Sequence, residues 1–298
     1  MIPEIRLSQG FLSYPERGNG GKSSWRGNFS PKLVEDLIQQ FQPKRILDPM
    51  VGSGTSHAKA LEMGREGTFL DLNPKWGGFD LVNDEVPVSS DLIIWHPPYW
   101  DMIKYSGSEW GQQNPNDLSQ IECWDDFIKK INLCTAKLIT ALRKNGRLAI
   151  LVGDIKKKGK LYSMLKSMDW YGTPENVVPK FQHGAMSFKK NYGNSKFIPT
   201  TCEYLLILKR EDCYMLPILT FRGFNFDLRK GTKITWRDVV HAAMEKYGGK
   251  ASLEDLYKEI EGHAKTKANE HWKEKVRQTL QLCKDFVSVK RGEWGFDY

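Results

Sequence analysis

Short apolar runs alternate with helix-length amphipathic stretches over most of the chain, and this alternation narrows the fold more than any other feature. RILDP (45–49), GTFLDL (67–72), DLIIW (91–95), GRLAILVGD (146–154) and EYLLILKR (203–210) read as buried strands. The segments 56–63, 124–142 and 161–168 read as helices. Ser30-Pro31 marks an earlier helix start, with serine as N-cap and proline at the first helical position. Val34, Leu37, Ile38 and Phe41 follow at helical spacing, and Pro43 ends the helix. Strands alternating with helices predict a doubly wound, Rossmann-like parallel α/β sheet covered on both faces. Such sheets bind ligands at the carboxyl ends of their strands. Asp48, Asp71, His96 and Asp154 all fall at strand ends, which is the first pointer to a site.

The pattern changes at both ends. Residues 1–29 are rich in Gly, Ser and charge and read as an extended arm. The α/β domain then spans 30–216, and 217–233 reads as a linker. Over 234–298, TWRDVVHAAMEKYGG, SLEDLYKEIEGH and NEHWKEKVRQTLQLC read as three helices, and FVSVKRGEWGFDY as a hairpin. Three helices followed by a hairpin resemble a small winged helix.

With 298 residues, 40% of them hydrophobic, the chain can bury a sizeable core. Lys and Arg total 44 against 36 Asp and Glu, a formal charge of +8 that favours a polyanionic partner. Five cysteines without a CxxC pair argue against a zinc site or a disulfide framework and for a reducing compartment. No stretch approaches the ~20 apolar residues of a membrane span, and MIPEIRLSQG lacks a basic start followed by an apolar run. The expectation is a soluble, cytoplasmic protein with no metal and no membrane partner.

Two motifs carry chemistry. DPMVGSGT (48–55) follows a strand and precedes a helix. Gly52 and Gly54 let the backbone turn sharply and approach a ligand, and the helix N-terminus offers amides to an anionic group. Asp71, closing the next strand, suits a ribose hydroxyl pair. The turn lacks the Lys-Ser/Thr of a P-loop. HPPYW (96–100) ends the strand DLIIW. Its prolines stiffen the backbone and remove two donors, so the carbonyls of His96 and Pro97 become rigid acceptors beside the flat ring of Tyr99.

In order, DPMVGSGT, LDLNP (70–74) and HPPYW resemble the motifs of the DNA amino-methyltransferases, over roughly residues 20–210. GNFSPKLVEDLI (27–38) looks like that family's additional cofactor motif. The resemblance implies S-adenosylmethionine as cofactor, held by Asn28, Phe29, Ser30, Asp48, Met50, Gly52, Gly54, Thr55, Asp71, Leu72 and Asn73. It implies a catalytic loop of His96, Pro97, Pro98 and Tyr99 that binds a flipped-out base by its exocyclic amino group. Tyr99 would stack on the base. The motif order is that of the subgroup whose recognition region lies at the C-terminal end, where the winged-helix-like tail falls.

One departure stands out. The family has Asp, Asn or Ser where this chain has His96. A neutral histidine offers one acceptor nitrogen and a protonated one offers none, so transfer should fall as pH drops through the histidine pKa, near 6.5 if unperturbed. The departure also removes the usual sign of base preference, leaving N6 of adenine slightly favoured over N4 of cytosine, and it admits an inactive relative. Beyond the loop, Trp100, Asp101, Tyr105 and Trp110 are candidates for the base pocket, and Asn83 or Asp84 for the cofactor's adenine. For double-stranded DNA the expected contacts are Trp100, Lys189 and Lys190 of the basic, aromatic segment 180–197, Lys273, Arg277 and Gln278 of the third tail helix (271–282), and Lys290 and Arg291 of the hairpin. In that helix Val276, Leu280 and Cys283 share the apolar side. A nuclease of a restriction system is a further partner the resemblance admits. Rival readings are an RNA or protein-glutamine amino-methyltransferase, and a DNA-binding regulator that only senses the cofactor.

Overall fold

The computed structural model describes residues 6–22, 24–183, 198–212, 215–221 and 235–297. The chain divides into two compact units, Met1–Arg222 and Gly223–Tyr298.

In the first unit the elements run β1 (Leu12–Ser13), α1 (Pro31–Phe41), β2 (Arg45–Asp48), α2 (Thr55–Glu62), β3 (Glu66–Phe69), β4 (Ser90–Trp95), α3 (Trp124–Ala141), β5 (Leu142–Lys157), β6 (Lys160–Ser163), α4 (Met164–Ser167), β7 (Trp170–Tyr171), β8 (Thr173–Phe181), β9 (Cys202–Lys209) and β10 (Ile218–Leu219). The main sheet has the order β1-β8-β9-β5-β4-β2-β3. Strands β5, β4, β2 and β3 are mutually parallel, while β9 runs antiparallel to both β5 and β8. This is the doubly wound α/β fold expected from the alternation.

Period-two side-chain alternation buries both faces of the sheet. Leu47, Ile93, Trp95, Leu148, Ile150, Val152, Leu206 and Leu208 join one core with α3. Ile46, Leu92, Ile94, Ala149, Leu151, Leu205 and Ile207 join the other with α1. The α1 start is as expected: the Ser30 hydroxyl accepts from the Lys32 amide at 3.2 Å, with Pro31 next.

Four segments differ from the sequence reading. The segment 161–168 is not one helix. Strand β5 runs on to Lys157, the chain reverses through left-handed Lys158 (φ 50°) and Gly159 (φ 75°), and β6 pairs back on β5 before the single turn of α4. The arm contains β1, which extends the sheet edge parallel to β8; Leu12 is fully buried and the Tyr14 hydroxyl donates to Asp36 at 2.6 Å. Strand β8, TPENVVPKF, has two prolines and mostly exposed side chains, so it carries almost no apolar signal. Of the expected linker, Ile218 and Leu219 pair with β7 within the first unit, and 222–233 lie outside the described residues.

In the second unit the order is α5 (Trp236–Lys246), β11 (Lys250–Ser252), α6 (Leu253–Ile260), α7 (Ala264–Lys267), α8 (Trp272–Leu282), β12 (Phe286–Lys290) and β13 (Glu293–Phe296). Capping boxes of Thr235 with Asp238 and Ser252 with Asp255 start α5 and α6. The strands form an antiparallel sheet of order β11-β13-β12. Val240, Met244, Leu256, Val276 and Leu280 are fully buried between these elements, with Cys283 packed at their margin. No helix among the described residues is long and apolar enough to cross a membrane.

Candidate active site

The glycine turn is built around two carboxylates. Asp48, at the end of β2, is 2% exposed. Its Oδ1 accepts from the Met50 amide at 3.0 Å and its Oδ2 from the Ser56 hydroxyl. Burial pushes its carboxyl up to about 7 against the hydrogen bonds from Ser56 and Met50, with the charge of Asp71 adding to the rise. Asp48 is therefore a brace inside the turn, where cofactor contact was expected. A carboxyl raised in the fold gives up stability as pH climbs from its unfolded value toward 7. Asp48→Asn keeps both partners without the charge, so its melting temperature should gain on the wild type between pH 4 and pH 7. A pH-independent difference would rule this out.

Asp71 Oδ2 accepts from the Gly52 amide and Oδ1 from the Asn73 amide, each at 2.9 Å. Burial raises this carboxyl, opposed by those two amides. Gly52 (φ 47°) and Gly54 (φ 84°) are both left-handed. A Cβ on Gly54 would lie 3.0 Å from the Trp76 ring, whose indole N–H donates to the Gly52 carbonyl at 3.0 Å. Thr55 is buried at the start of α2, Asn73 accepts from the Lys75 amide, and Ser30 caps α1. These three, with Asp48 and Gly54, shape the walls; Asn28, Phe29, Met50, Gly52, Asp71 and Leu72 line the space between them.

That space is a cleft open to solvent. It lies at the carboxyl ends of β2 and β4. Strand β2 has β3 on one side and β4 on the other, so the chain reverses its winding there, at the place where such sheets bind ligands. Tyr105 and Trp110 line it as expected. Asn83 and Asp84 do not; Asp80 does, holding the Asn83 side-chain amide at 2.7 Å. Sequence reasoning missed Trp25, Phe79, Leu81, Val82 and Asp117, which sit in irregular loops without periodicity. Asp117 clamps its loop by accepting from the Ser106 amide at 2.8 Å and hydroxyl at 2.7 Å and the Ser119 amide at 2.8 Å. Arg17, also missed, reaches Asn28 Oδ1 and Thr55 Oγ1 at 3.4 Å and has no acidic partner among the described residues.

Strand β4 delivers His96 and Pro98 to the same cleft, while Pro97 and Tyr99 stay off its lining. Tyr99 does not present a free ring. It lies against Gly153, where an added Cβ would come within 2.5 Å of the ring, and its hydroxyl donates to Glu203 Oε1 at 2.9 Å. Burial, the charge of Glu203 and that hydrogen bond push the Tyr99 phenol well above its ordinary value. The His96 Nε2 lies 3.1 Å from the Tyr99 hydroxyl, and Phe29 packs edge-on to the imidazole at 5.4 Å. Burial lowers His96 to about 4; Glu203 works against that shift and Lys180 with it. The expected midpoint near 6.5 is thereby displaced.

Trp100 is a correction. It is 5% exposed, its indole N–H donates to the Ile121 carbonyl at 2.9 Å, and it packs on Trp124 and Tyr162, so it offers no face to DNA. Its left-handed backbone (φ 49°) is costly for a bulky residue and is held by that packing. Asp101 pairs with Lys157. Lys180 opens the segment expected to face DNA but is buried against Glu203 at 2.5 Å; Lys189 and Lys190 lie outside the described residues. In the second unit Lys273, Arg277, Gln278, Lys290 and Arg291 are all exposed. Arg277 pairs with Glu274 at 2.9 Å and Lys290 with Glu293 at 2.7 Å.

No family model matches the chain, and no curated protein matches its sequence. Among solved structures it is similar to TrmN of Thermus thermophilus, at 17% identity over 62% of this chain and 50% of that one, TM-score 0.35. It is similar to the N-methyltransferase NodS of Bradyrhizobium japonicum in complex with S-adenosyl-L-homocysteine, at 10% identity over 63% and 90%, TM-score 0.37. It is also similar to a second Thermus thermophilus protein, named as a candidate DNA modification methylase, at 17% identity over 64% and 60%, TM-score 0.27. The chain thus spans half the length of TrmN.

Proposed function

We propose that the chain is an S-adenosylmethionine-dependent DNA methyltransferase acting on the exocyclic amino group of a flipped-out base, with N6 of adenine slightly favoured over N4 of cytosine. The observation that carries this reading is the meeting of the glycine turn with His96 and Pro98 in one cleft at the switch point of the sheet.

The residues suit the cofactor. Each Asp71 oxygen holds one amide and keeps capacity for a ribose hydroxyl. Leu72, Phe79, Leu81 and Val82 form an apolar wall for a purine ring. Arg17, half-buried beside the start of α2, suits a carboxylate. The bound cofactor supplies an electrophilic methyl group.

The chain's own groups do the rest. An amino nitrogen conjugated to a base ring is a poor nucleophile. Acceptors at the His96 ring and the loop carbonyls would take its hydrogens, draw it toward tetrahedral geometry and stabilise the positive charge that develops. Tyr105 and Trp110, lining the cleft, replace Tyr99 as the rings on which the base stacks. The second unit is read as a winged helix whose α8 enters the major groove; its element order and the exposed cations of α8 and the hairpin support this.

Transfer of labelled methyl groups from the cofactor to duplex DNA, followed by base analysis, tests the proposal. Transfer to RNA or peptide alone, or cofactor binding without transfer, would replace it with one of the rival readings. Because His96 stays neutral down to about pH 4, kcat should be level through pH 6.5 and fall only as pH approaches 4. A midpoint near 6.5 would mean that the half-buried ring is solvated and not desolvated in the cleft wall.

A further inference from the structure

The group that faces the cleft from His96 is set by a chain of buried contacts running away from it. Lys180 Nζ lies 2.5 Å from Glu203 Oε2, and both side chains are only 10% exposed. Burial works to raise the Glu203 carboxyl, but Lys180, the His96 ring and hydrogen bonds from Lys180 and Gln182 outweigh it and hold it below its ordinary value. Glu203 is therefore a carboxylate, which can only accept. The Tyr99 hydroxyl, 2.9 Å from Glu203 Oε1, has one proton and must give it there. Its oxygen can then only accept along its other contact, the 3.1 Å approach of His96 Nε2. The reverse order would set two lone pairs against each other between Tyr99 and Glu203. A neutral imidazole carries one N–H, so a proton on Nε2 leaves Nδ1 bare. Nδ1 has no hydrogen-bond partner among the described residues, and His96 lines the cleft.

We propose that Lys180, Glu203 and Tyr99 act as positioning residues that lock His96 in the Nε2–H tautomer, making Nδ1 the acceptor offered to the substrate. Its catalytic meaning rests on the methyltransferase reading; the tautomer itself does not. This relay explains how a histidine fills a position that needs an oxygen-like acceptor. It also carries a specificity: an obligate acceptor takes an amino N–H and repels a ring carbonyl, so amino-bearing bases enter and keto positions do not. Gly153 belongs to the device, because a side chain there would displace the Tyr99 ring.

Two-bond nitrogen–proton correlation spectra of the full chain labelled with 15N-histidine read the tautomer directly. The six histidines give separate patterns, and His96→Asn identifies the one in question. The wild type should show protonated Nε2 and pyridine-like Nδ1 at neutral pH. In Glu203→Gln the amide oxygen turns to Lys180 and its NH2 to Tyr99, so Tyr99 donates to His96 and the pattern inverts. Methyl transfer should then drop roughly 100-fold in kcat, with cofactor affinity unchanged. Lys180→Met/Glu203→Gln removes the buried lysine left without a counter-charge, should the single variant not fold, and should also lose the single Nε2–H pattern. Protonated Nδ1 in the wild type, or an unaltered pattern in whichever of these variants folds, overturns the proposal. The expected tautomer in a wild type that methylates nothing overturns the methyltransferase reading and leaves the relay standing.

Discussion

Asp71→Ala should weaken S-adenosylmethionine binding by roughly 10- to 100-fold without unfolding the protein. A hydrogen bond to a charged group contributes about 1.5–3 kcal/mol, and each 1.4 kcal/mol is tenfold in affinity. The substitution removes the ribose acceptor and also releases the Gly52 and Asn73 amides, which Asp71 holds at 2.9 Å. Both effects fall on the cleft that Asp71 lines. Gly52→Val should be as damaging by another route. Its backbone is left-handed at φ 47°, and an added Cβ would project toward Trp25 across the cleft wall. A left-handed conformation costs a non-glycine residue about 1–2 kcal/mol, before any loss of ligand contact. Calorimetry on variants with native circular dichroism measures both. Wild-type affinity in the two variants would show that the glycine turn binds something else.

Replacing Lys273, Arg277, Lys290 and Arg291 together by alanine should lower DNA affinity by orders of magnitude at low salt, with the cofactor affinity unchanged. Each phosphate neutralised adds about 0.9 to the slope of log affinity against log salt. Four lost contacts should flatten that slope by roughly 3–4. Arg277 and Lys290 already share charge with Glu274 and Glu293, so Lys273 and Arg291 should account for more than half of the change. An unaltered slope would move recognition to the basic segment 180–197.

The proline-stiffened turn after β4, the glycine turn and the place of Asp71 beyond β3 were legible from local sequence, because each carries its geometry in its own backbone or chain position. A glycine with positive φ, a proline without an N–H and an acid ending a buried strand mean the same wherever the fold places them. The roles of Tyr99 and Trp100 were not legible. Both sit next to the catalytic loop and both are aromatic, yet Tyr99 turns to a carboxylate 104 residues away and Trp100 into the core beside Trp124 and Tyr162. Asp48 reads as a ligand contact by its motif and as a brace by its burial, since solvent exclusion is a property of the assembled turn.

Hydrophobic periodicity alone thus determined the α/β sheet and its parallel centre, because a face that must be buried imposes a two-residue or 3.6-residue rhythm on the chain itself; it did not show that β5 runs on past Asp154 to Lys157. It determined little at the sheet edge, where β1 and β8 bury few side chains and leave no rhythm. Only the tertiary structure decided which residues line the cleft, that Arg17 stands beside α2, and that Lys180 and Glu203 stand behind His96. Those arrangements depend on loops and strands distant in sequence, where proximity and dielectric, not local pattern, set the chemistry.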